Sequence, residues 1–295
     1  MKKITAQIYK ERILSVLIYI QQNLDEELNL EKLADIAHFS PFHFHRIFKG
    51  MVGESLKEHI RRLRLERAAS HLKLTNRSVT RIAFDAGYET HESFSRSFKD
   101  MFGLSPSGFR TNIKPESIFK DSTKIHYNEE LANFEISKEE NMEVQIKKIE
   151  PIRVAFVRNV GPYKTCGQAW DKLCTWMGAH GLISSESSFI GLCHDDPEVT
   201  PPEKIRYDAC ITVDEDFSPA GEIGVQVIQG GEYAVTTHFG PYEKLSETYA
   251  SLCGKWAPQN GREFQSAPSF EIYFNSPENT DPEDLVTDIY VLLES

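Results

Sequence analysis

The sequence predicts two domains of different class: an all-α double helix-turn-helix domain, followed by an α+β domain built from a duplicated strand-helix-strand-strand unit. Three observations predict this. Apolar residues fall at helical spacing up to about residue 112 and alternate in the manner of strands beyond residue 142. One pattern repeats inside the helical part, and a different pattern repeats inside the second part. At 295 residues the chain is also near the length at which a single core stops growing. The expected boundaries are 1–112 and 142–295, with 113–141 as a linker that is polar and carries Pro115 and the run Glu139-Glu140-Asn141.

The elements follow in order. Ile13, Leu14, Leu17 and Ile18 give a helix over Arg12 to Gln22. Asn29 is placed to cap a helix starting near Glu31, because its side chain can accept from the free amides of the first turn. Ser40 followed by Pro41 marks another helix start. Leu56 to Leu72 is a long helix, and its Arg61, Arg62, Arg64 and Arg67 are expected on a mostly solvated face. Gly87 suits the left-handed residue that ends a helix, with Glu89 or Thr90 beginning the next.

The first repeat lies here. Leu33-Ala34, Ala37 and Phe39 match Ile82-Ala83, Ala86 and Tyr88 at an offset of 49. Phe44, Arg46, Phe48-Lys49 and Gly53 match Phe94, Arg96, Phe98-Lys99 and Gly103 at an offset of 50, so one residue is inserted in the turn. Each unit is a short helix with small packing residues, a turn, and a second helix with aromatic core positions, which is a helix-turn-helix layout.

Beyond residue 142, strands are expected at Met142 to Ile146, Ile152 to Val160, Ile205 to Val213, Glu232 to Phe239, Ser269 to Asn275 and Val286 to Leu292. Helices are expected at Thr165 to His180 and Glu243 to Lys255. Gly161-Pro162-Tyr163-Lys164 recurs as Gly240-Pro241-Tyr242-Glu243, each between a strand and a helix. Ser188-Phe189 and Ser269-Phe270 open corresponding strands.

The helical part resembles the DNA-binding domain of AraC-type transcription regulators over residues 8 to 112, through both units, the long helix between them and the ending Ala86-Gly87-Tyr88, Phe94-Ser95-Arg96-Ser97-Phe98-Lys99, Phe102-Gly103 and Ser105-Pro106. The second part resembles GyrI-like effector-binding domains of the Rob and BmrR type over residues 142 to 295, most tellingly in Arg206-Tyr207-Asp208-Ala209-Cys210 and Phe270-Glu271-Ile272-Tyr273. Together these resemblances imply a cytoplasmic, sequence-specific DNA-binding regulator that senses a small cationic or amphipathic molecule. The implied partners are promoter double-stranded DNA, the effector and RNA polymerase, with no membrane and no cofactor.

The charge distribution is compatible with that reading. The chain carries a net charge of −11, but residues 1–113 hold 18 Lys+Arg against 13 Asp+Glu, whereas residues 142–295 hold 11 against 24. Phosphate contact needs only a local positive face. No apolar run is long enough for a membrane span, and the first residues lack the apolar core of a signal peptide. Cys166, Cys174, Cys193, Cys210 and Cys253 form no CxxC pair and are read as small core residues rather than zinc ligands or disulfides. The histidines His38, His43, His45, His59, His71 and His91 do not form a metal site on this reading, since His43 and His45 fall on different helix faces.

Within the second helix of each unit, Phe44 and Phe48, and Phe94 and Phe98, are expected to face the core at i, i+4. The exposed faces would then present Phe42, His45, Arg46 and Lys49, and His91, Glu92, Ser95, Arg96 and Lys99. The resemblance implies base contacts from Phe42, His45, Arg46, His91, Glu92, Ser95 and Arg96. Arg46 and Arg96 can bind guanine bidentately. Lys49 and Lys99 suit phosphates. Glu92 can accept from a cytosine amine, or simply favour the helix dipole. Both helices would enter neighbouring major grooves, about one turn or roughly 34 Å apart.

For the effector, Glu271 and Tyr273 are expected to point away from Phe270, Ile272 and Phe274 on their strand. A half-buried carboxylate seeks a cation. Glu271 is therefore the expected charge partner, with Tyr163, Trp170, Tyr207 and Tyr273 as aromatic walls. Two other readings stay open: a hydrolase opening electrophilic rings with Glu271 and a tyrosine, and an acidic protein-interaction module.

Overall fold

The computed structural model describes residues 2–112, 142–197, 200–219 and 221–294. The expected linker lies outside the described residues. The described residues form two compact units: 2–9 with 38–53 and the part from 142 on, and 10–37 with 54–112.

Seven helices occupy the N-terminal part of the described chain: α1 (Lys2–Gln22), α2 (Leu30–Ile36), α3 (Pro41–Val52), α4 (Leu56–Leu74), α5 (Val79–Asp85), α6 (His91–Phe102) and α7 (Pro106–Asn112). The duplication is visible in the lengths. α2 and α5 have seven residues each, α3 and α6 twelve each, and both twelve-residue helices end on a left-handed glycine, Gly53 (φ 86°) and Gly103 (φ 73°). Caps set the starts: Asn29 accepts from the Lys32 amide, Ser40 from Phe42, Ser78 from Arg81 and Thr90 from Ser93. A capping box between Ser55 and Glu58 starts α4. The inserted turn residue has a counterpart in backbone strain. His38 takes φ 51° at the position where the second unit has Gly87 at φ 80°. A β-carbon in that conformation costs about 1 kcal/mol.

In the second unit, Leu65, Ala68, Ala69 and Leu72 of α4 pack with Ile82, Ala83, Phe94, Phe98 and Phe109 into one core. The arginines of α4 are more engaged than a solvated face implies. Arg62 pairs with Glu54 (2.6 Å) and Glu66 (3.0 Å), Arg64 donates to the carbonyl of Leu24, and Arg67 pairs with Asp25 (2.7 Å). Arg61 alone of the four is exposed.

The other unit contains one antiparallel eight-stranded sheet: β1 (Gln145–Ile149), β2 (Ile152–Val160), β3 (Phe189–Cys193), β4 (Arg206–Thr212), β5 (Gly224–Ile228), β6 (Gly231–Phe239), β7 (Ser269–Tyr273) and β8 (Val286–Leu292), in the order β1-β6-β8-β7-β3-β4-β2-β5. Helix α8 (Gly167–Ala179) follows β2, and α9 (Leu245–Ser251) follows β6 and runs into a π-helical turn, Leu252–Trp256. Strand lengths repeat as five, nine, five and seven in each half. The repeating unit therefore contains one strand more than expected, and that strand is exchanged: β1 pairs with β6, and β5 pairs with β2. The two halves meet at β3 and β7 about a pseudo-twofold axis.

Ala155, Val157, Tyr207, Ala209 and Ile211 face α8, where they pack with Leu173 and Met177. Val154, Ile190, Cys210, Phe270 and Tyr290 form the opposite face. The fully buried Asp208 lies on this second face and ties three strands together. It accepts from Arg158 on β2 (2.7 Å), from His194 (2.8 Å) and from Gln226 on β5 (2.9 Å). Burial alone would raise its pKa, but these donors hold the carboxyl well below the usual carboxylate range. A depressed pKa stabilises the fold fully above about pH 4 and does so less as the pH falls toward the folded value. Asp208→Asn is thus expected to cost about 2 kcal/mol at pH 7, discounted because Arg158 is partly exposed, and to flatten the acid side of the stability curve. Urea unfolding between pH 3 and 7 measures both.

Candidate effector cleft and DNA-reading helices

β7 sends Ser269, Glu271 and Tyr273 to the helical side of the sheet and buries Phe270 on the other. Glu271 is 5% exposed and accepts from the hydroxyls of Tyr273 (2.6 Å) and Tyr249 on α9 (3.0 Å), with the Cys193 thiol at 3.5 Å. The chain of hydroxyls continues outward. Tyr273 and Tyr207 share a hydrogen bond of 3.1 Å, and Trp170 on α8 donates to Tyr207 (3.0 Å). Tyr163 lies edge-on to Tyr207 at 5.7 Å and donates to the Asp195 carbonyl (3.1 Å). The structure therefore brings together Glu271, Tyr273, Tyr207, Tyr163 and Trp170.

Three residues that sequence reasoning missed complete the cluster. Tyr249 lies on a helix whose apolar face gave no sign of its role. Tyr242 packs edge-on against Tyr273 at 5.5 Å, as Tyr163 does against Tyr207, and both tyrosines come from the repeated Gly-Pro-Tyr. Gly191 is the third. It pairs with Glu271 across β3 and β7, and the repeat makes the two positions equivalent at an offset of 80. The pseudo-twofold axis thus passes through this pair, and one half supplies a carboxylate where the other supplies no side chain. A β-carbon on Gly191 would collide with the hydroxyls of Tyr273 and Tyr207 (2.6 Å for the latter). The repeated Ser-Phe is offset by 81 and would match Glu271 to Ile190, so the register of the two strands, not that motif, identifies Gly191.

Burial and the nearby Glu271 charge push Tyr273 and Tyr249 well above the ordinary phenol range, and burial with Cys193 does the same for Tyr207. The Cys193 thiol is raised by the same two causes as Tyr273. A raised phenol pKa contributes stability that is fully present below about pH 10 and is lost as the pH rises toward the folded value. In an alkaline titration followed by tyrosinate absorbance, these three phenols are expected to ionise only as the fold opens. Smooth ionisation near pH 10 with the fold intact would contradict the network.

The two helices expected to read DNA differ in exposure. On α6, Phe94 and Phe98 are fully buried, while Glu92, Arg96 and Lys99 are exposed and His91 and Ser95 are half-buried. On α3, Phe44 and Phe48 are buried as expected, but His45 is buried too, at 2% exposure, and Arg46 is largely covered. The expected exposed face is overturned because α3 belongs to the same compact unit as the sheet and packs on α9 and the π-helical turn. His45 bonds to Asp196 (3.2 Å), Arg46 donates to Ser269 (3.0 Å), and Lys49 reaches Ser246 (3.5 Å). The Arg46 guanidinium lies over the Tyr249 ring at 3.7 Å, and Phe42 is half-buried beside it. His43 donates to the Gln265 carbonyl (2.8 Å), and burial and then the neighbouring Arg46 lower its pKa to about 3.

All five cysteines are free, four of them buried. Among the described residues no cluster of three or more His, Cys, Asp or Glu is arranged to hold a metal ion, and no helix is long and apolar enough to cross a membrane.

A duplicated helix-turn-helix joined to a sheet with a buried, carboxylate-centred aromatic cluster is the layout of a DNA-binding regulator with a small-molecule-binding part. Comparison with known proteins agrees. Residues 142–294 match the family described as a GyrI-like small molecule binding domain, and residues 33–112 match a helix-turn-helix domain. The multiple antibiotic resistance protein MarA of Escherichia coli is 35% identical over 115 residues, covering 39% of this chain and 90% of MarA. The probable transcriptional regulator YgiV of Escherichia coli is 34% identical over 125 residues, 41% of this chain and 78% of YgiV. The uncharacterized regulator YbfP of Bacillus subtilis is 36% identical over 106 residues, and there the match spans only 36% of each protein. The chain belongs to the GyrI-like small-molecule-binding family and carries the helix-turn-helix of AraC-family transcription regulators at its N-terminal end.

Proposed function

We propose that this regulator reads promoter DNA with α3 and α6 and that its cleft over Glu271 binds a small cationic, partly aromatic molecule. The observation that carries the second part is the Glu271 carboxylate, 5% exposed and held by two tyrosine hydroxyls beneath aromatic rings. Such a site offers a cation both a charge partner and π faces. The first part is supported by α6, whose aromatic core face leaves Arg96 and Lys99 exposed on a capped, well-packed helix. His91, Glu92, Ser95 and Arg96 are the proposed base contacts of α6, with Lys99 on phosphate. Phe42, His45, Arg46 and Lys49 are their counterparts on α3. RNA polymerase at the promoter is the partner through which this binding would act.

Selection of genomic fragments by the full chain tests the DNA reading. Wild type is expected to enrich a few upstream sites. Arg96→Ala is expected to weaken binding to them by about 10- to 100-fold, and Lys99→Ala to lower the salt dependence by about one unit of slope. Enrichment that is indifferent to both substitutions would contradict the assignment of α6.

The cleft has a second reading, favoured by the 2.6 Å contact between Tyr273 and Glu271: a carboxylate base with a phenol donor could open an electrophilic ring. Glu271→Gln separates the two. As a binding site, the cleft should lose about tenfold or more of its affinity for a quaternary ammonium dye, measured by fluorescence. As a hydrolase, it should turn over a panel of epoxide substrates, and the substitution should abolish that turnover.

A further inference from the structure

The side chains proposed to read DNA from α3 are used inside the protein. Arg46 stacks on the ring whose hydroxyl serves Glu271, and it also donates to Ser269, two residues from Glu271 on β7. His45 and Arg46 share Asp196, and Lys49 reaches Ser246 on α9. The charges are complementary, a basic helix on an acidic domain.

The fit is built into the backbone. Gly50 of α3 faces Gly254 of the π-helical turn, and a β-carbon on Gly254 would fall 2.6 Å from the Gly50 Cα and 2.7 Å from the Ile47 carbonyl oxygen. A β-carbon on Gly50 would strike the carbonyl of Ala250. Two glycines at one crossing let the helices approach to backbone contact, and the extra residue of the π turn lies at that same crossing. With α3 in place, the space left beside Arg46, Cys193, Asp196 and Ser269 is about 10 Å³, room for roughly one water and for no organic ligand.

We propose that this docked α3 is an autoinhibited state in which Arg46 acts as an internal ligand at the cation side of the effector cleft, so that effector binding and DNA reading by α3 both require the same release. The inference rests on the cleft reading above. Two consequences follow from linkage. Effector and DNA each bind only the undocked form through these surfaces, so each strengthens the other, and anything that weakens docking raises both affinities by one common factor.

The test uses the full chain, an upstream fragment enriched by wild type, and benzyltrimethylammonium as the cation. Gly254→Val drives a side chain into the α3 backbone without touching Glu271 or the DNA-reading residues. Ser246→Lys sets a like charge against Lys49 and guards against a fold defect peculiar to the first variant. Both variants are expected to bind the fragment and the cation more tightly than wild type, by the same factor of about tenfold or more. The cation is expected to strengthen DNA binding by wild type but not by Gly254→Val. If both variants retain the wild-type circular dichroism and melting behaviour, yet neither affinity changes, autoinhibition by α3 is overturned while the cleft reading stands. If neither wild type nor the variants bind the cation, the cleft reading itself fails, and the internal-ligand role of Arg46 fails with it.

Discussion

Glu271 brings a carboxylate to the centre of a sheet whose other face is Phe, Tyr, Ile and Val, and water cannot solvate it there. An unsatisfied buried carboxylate would cost several kcal/mol, so its surroundings are constrained. Two phenols and a thiol point at its two oxygens. One of those phenols is carried by α9, so the helix is tied to the sheet through the charge. The partner strand has glycine at the facing position, where a methyl group would displace the Tyr273 hydroxyl that bonds Glu271 and the Tyr207 hydroxyl next to it. The aromatic walls, the position of α9 and the asymmetry of an otherwise symmetric domain all follow from accommodating one charge.

The same charge is the basis for the proposed cationic ligand. Tyrosine hydroxyls supply hydrogen bonds to the carboxylate but no positive charge. In the described structure α3 brings a guanidinium, that of Arg46, onto the Tyr249 ring. An arginine on α3 and a cationic small molecule are chemically alike in what they offer an aromatic acidic site, and the proposed coupling rests on that likeness.

Much of this was legible in the sequence, because local chemistry governs it. Asn29, Ser40, Thr90 and Gly87 act at the helix ends where their side chains or conformational freedom place them, and Phe44, Phe48, Phe94 and Phe98 are buried where helical periodicity puts them. Glu271 and Tyr273 share a face because strands alternate. The missed features are long-range. β5 is a strand of only five residues, and its partner is β2, more than sixty residues earlier. Tyr249 is an ordinary core tyrosine until the fold brings it to a carboxylate. His45 and Arg46 were expected on an exposed face because helical periodicity tells which residues leave a helix's own core and cannot tell what else will cover them.

The exchange of β1 and β5 has a consequence for how the domain is made. β1 finds its partner only in β6, some ninety residues later, and β2 is not closed on both sides until β4 and β5 arrive. At about 5–20 residues per second, a nascent chain would carry β1 unpaired for on the order of ten seconds. The strand reads Gln-Ile-Lys-Lys-Ile, and two lysines in five residues are what keeps an open strand edge from recruiting a stranger. The repeats are therefore not modules in the evolutionary sense. Neither half can be cut out, duplicated alone or replaced without leaving the other an unzipped sheet, so the duplication that built the domain also made it indivisible.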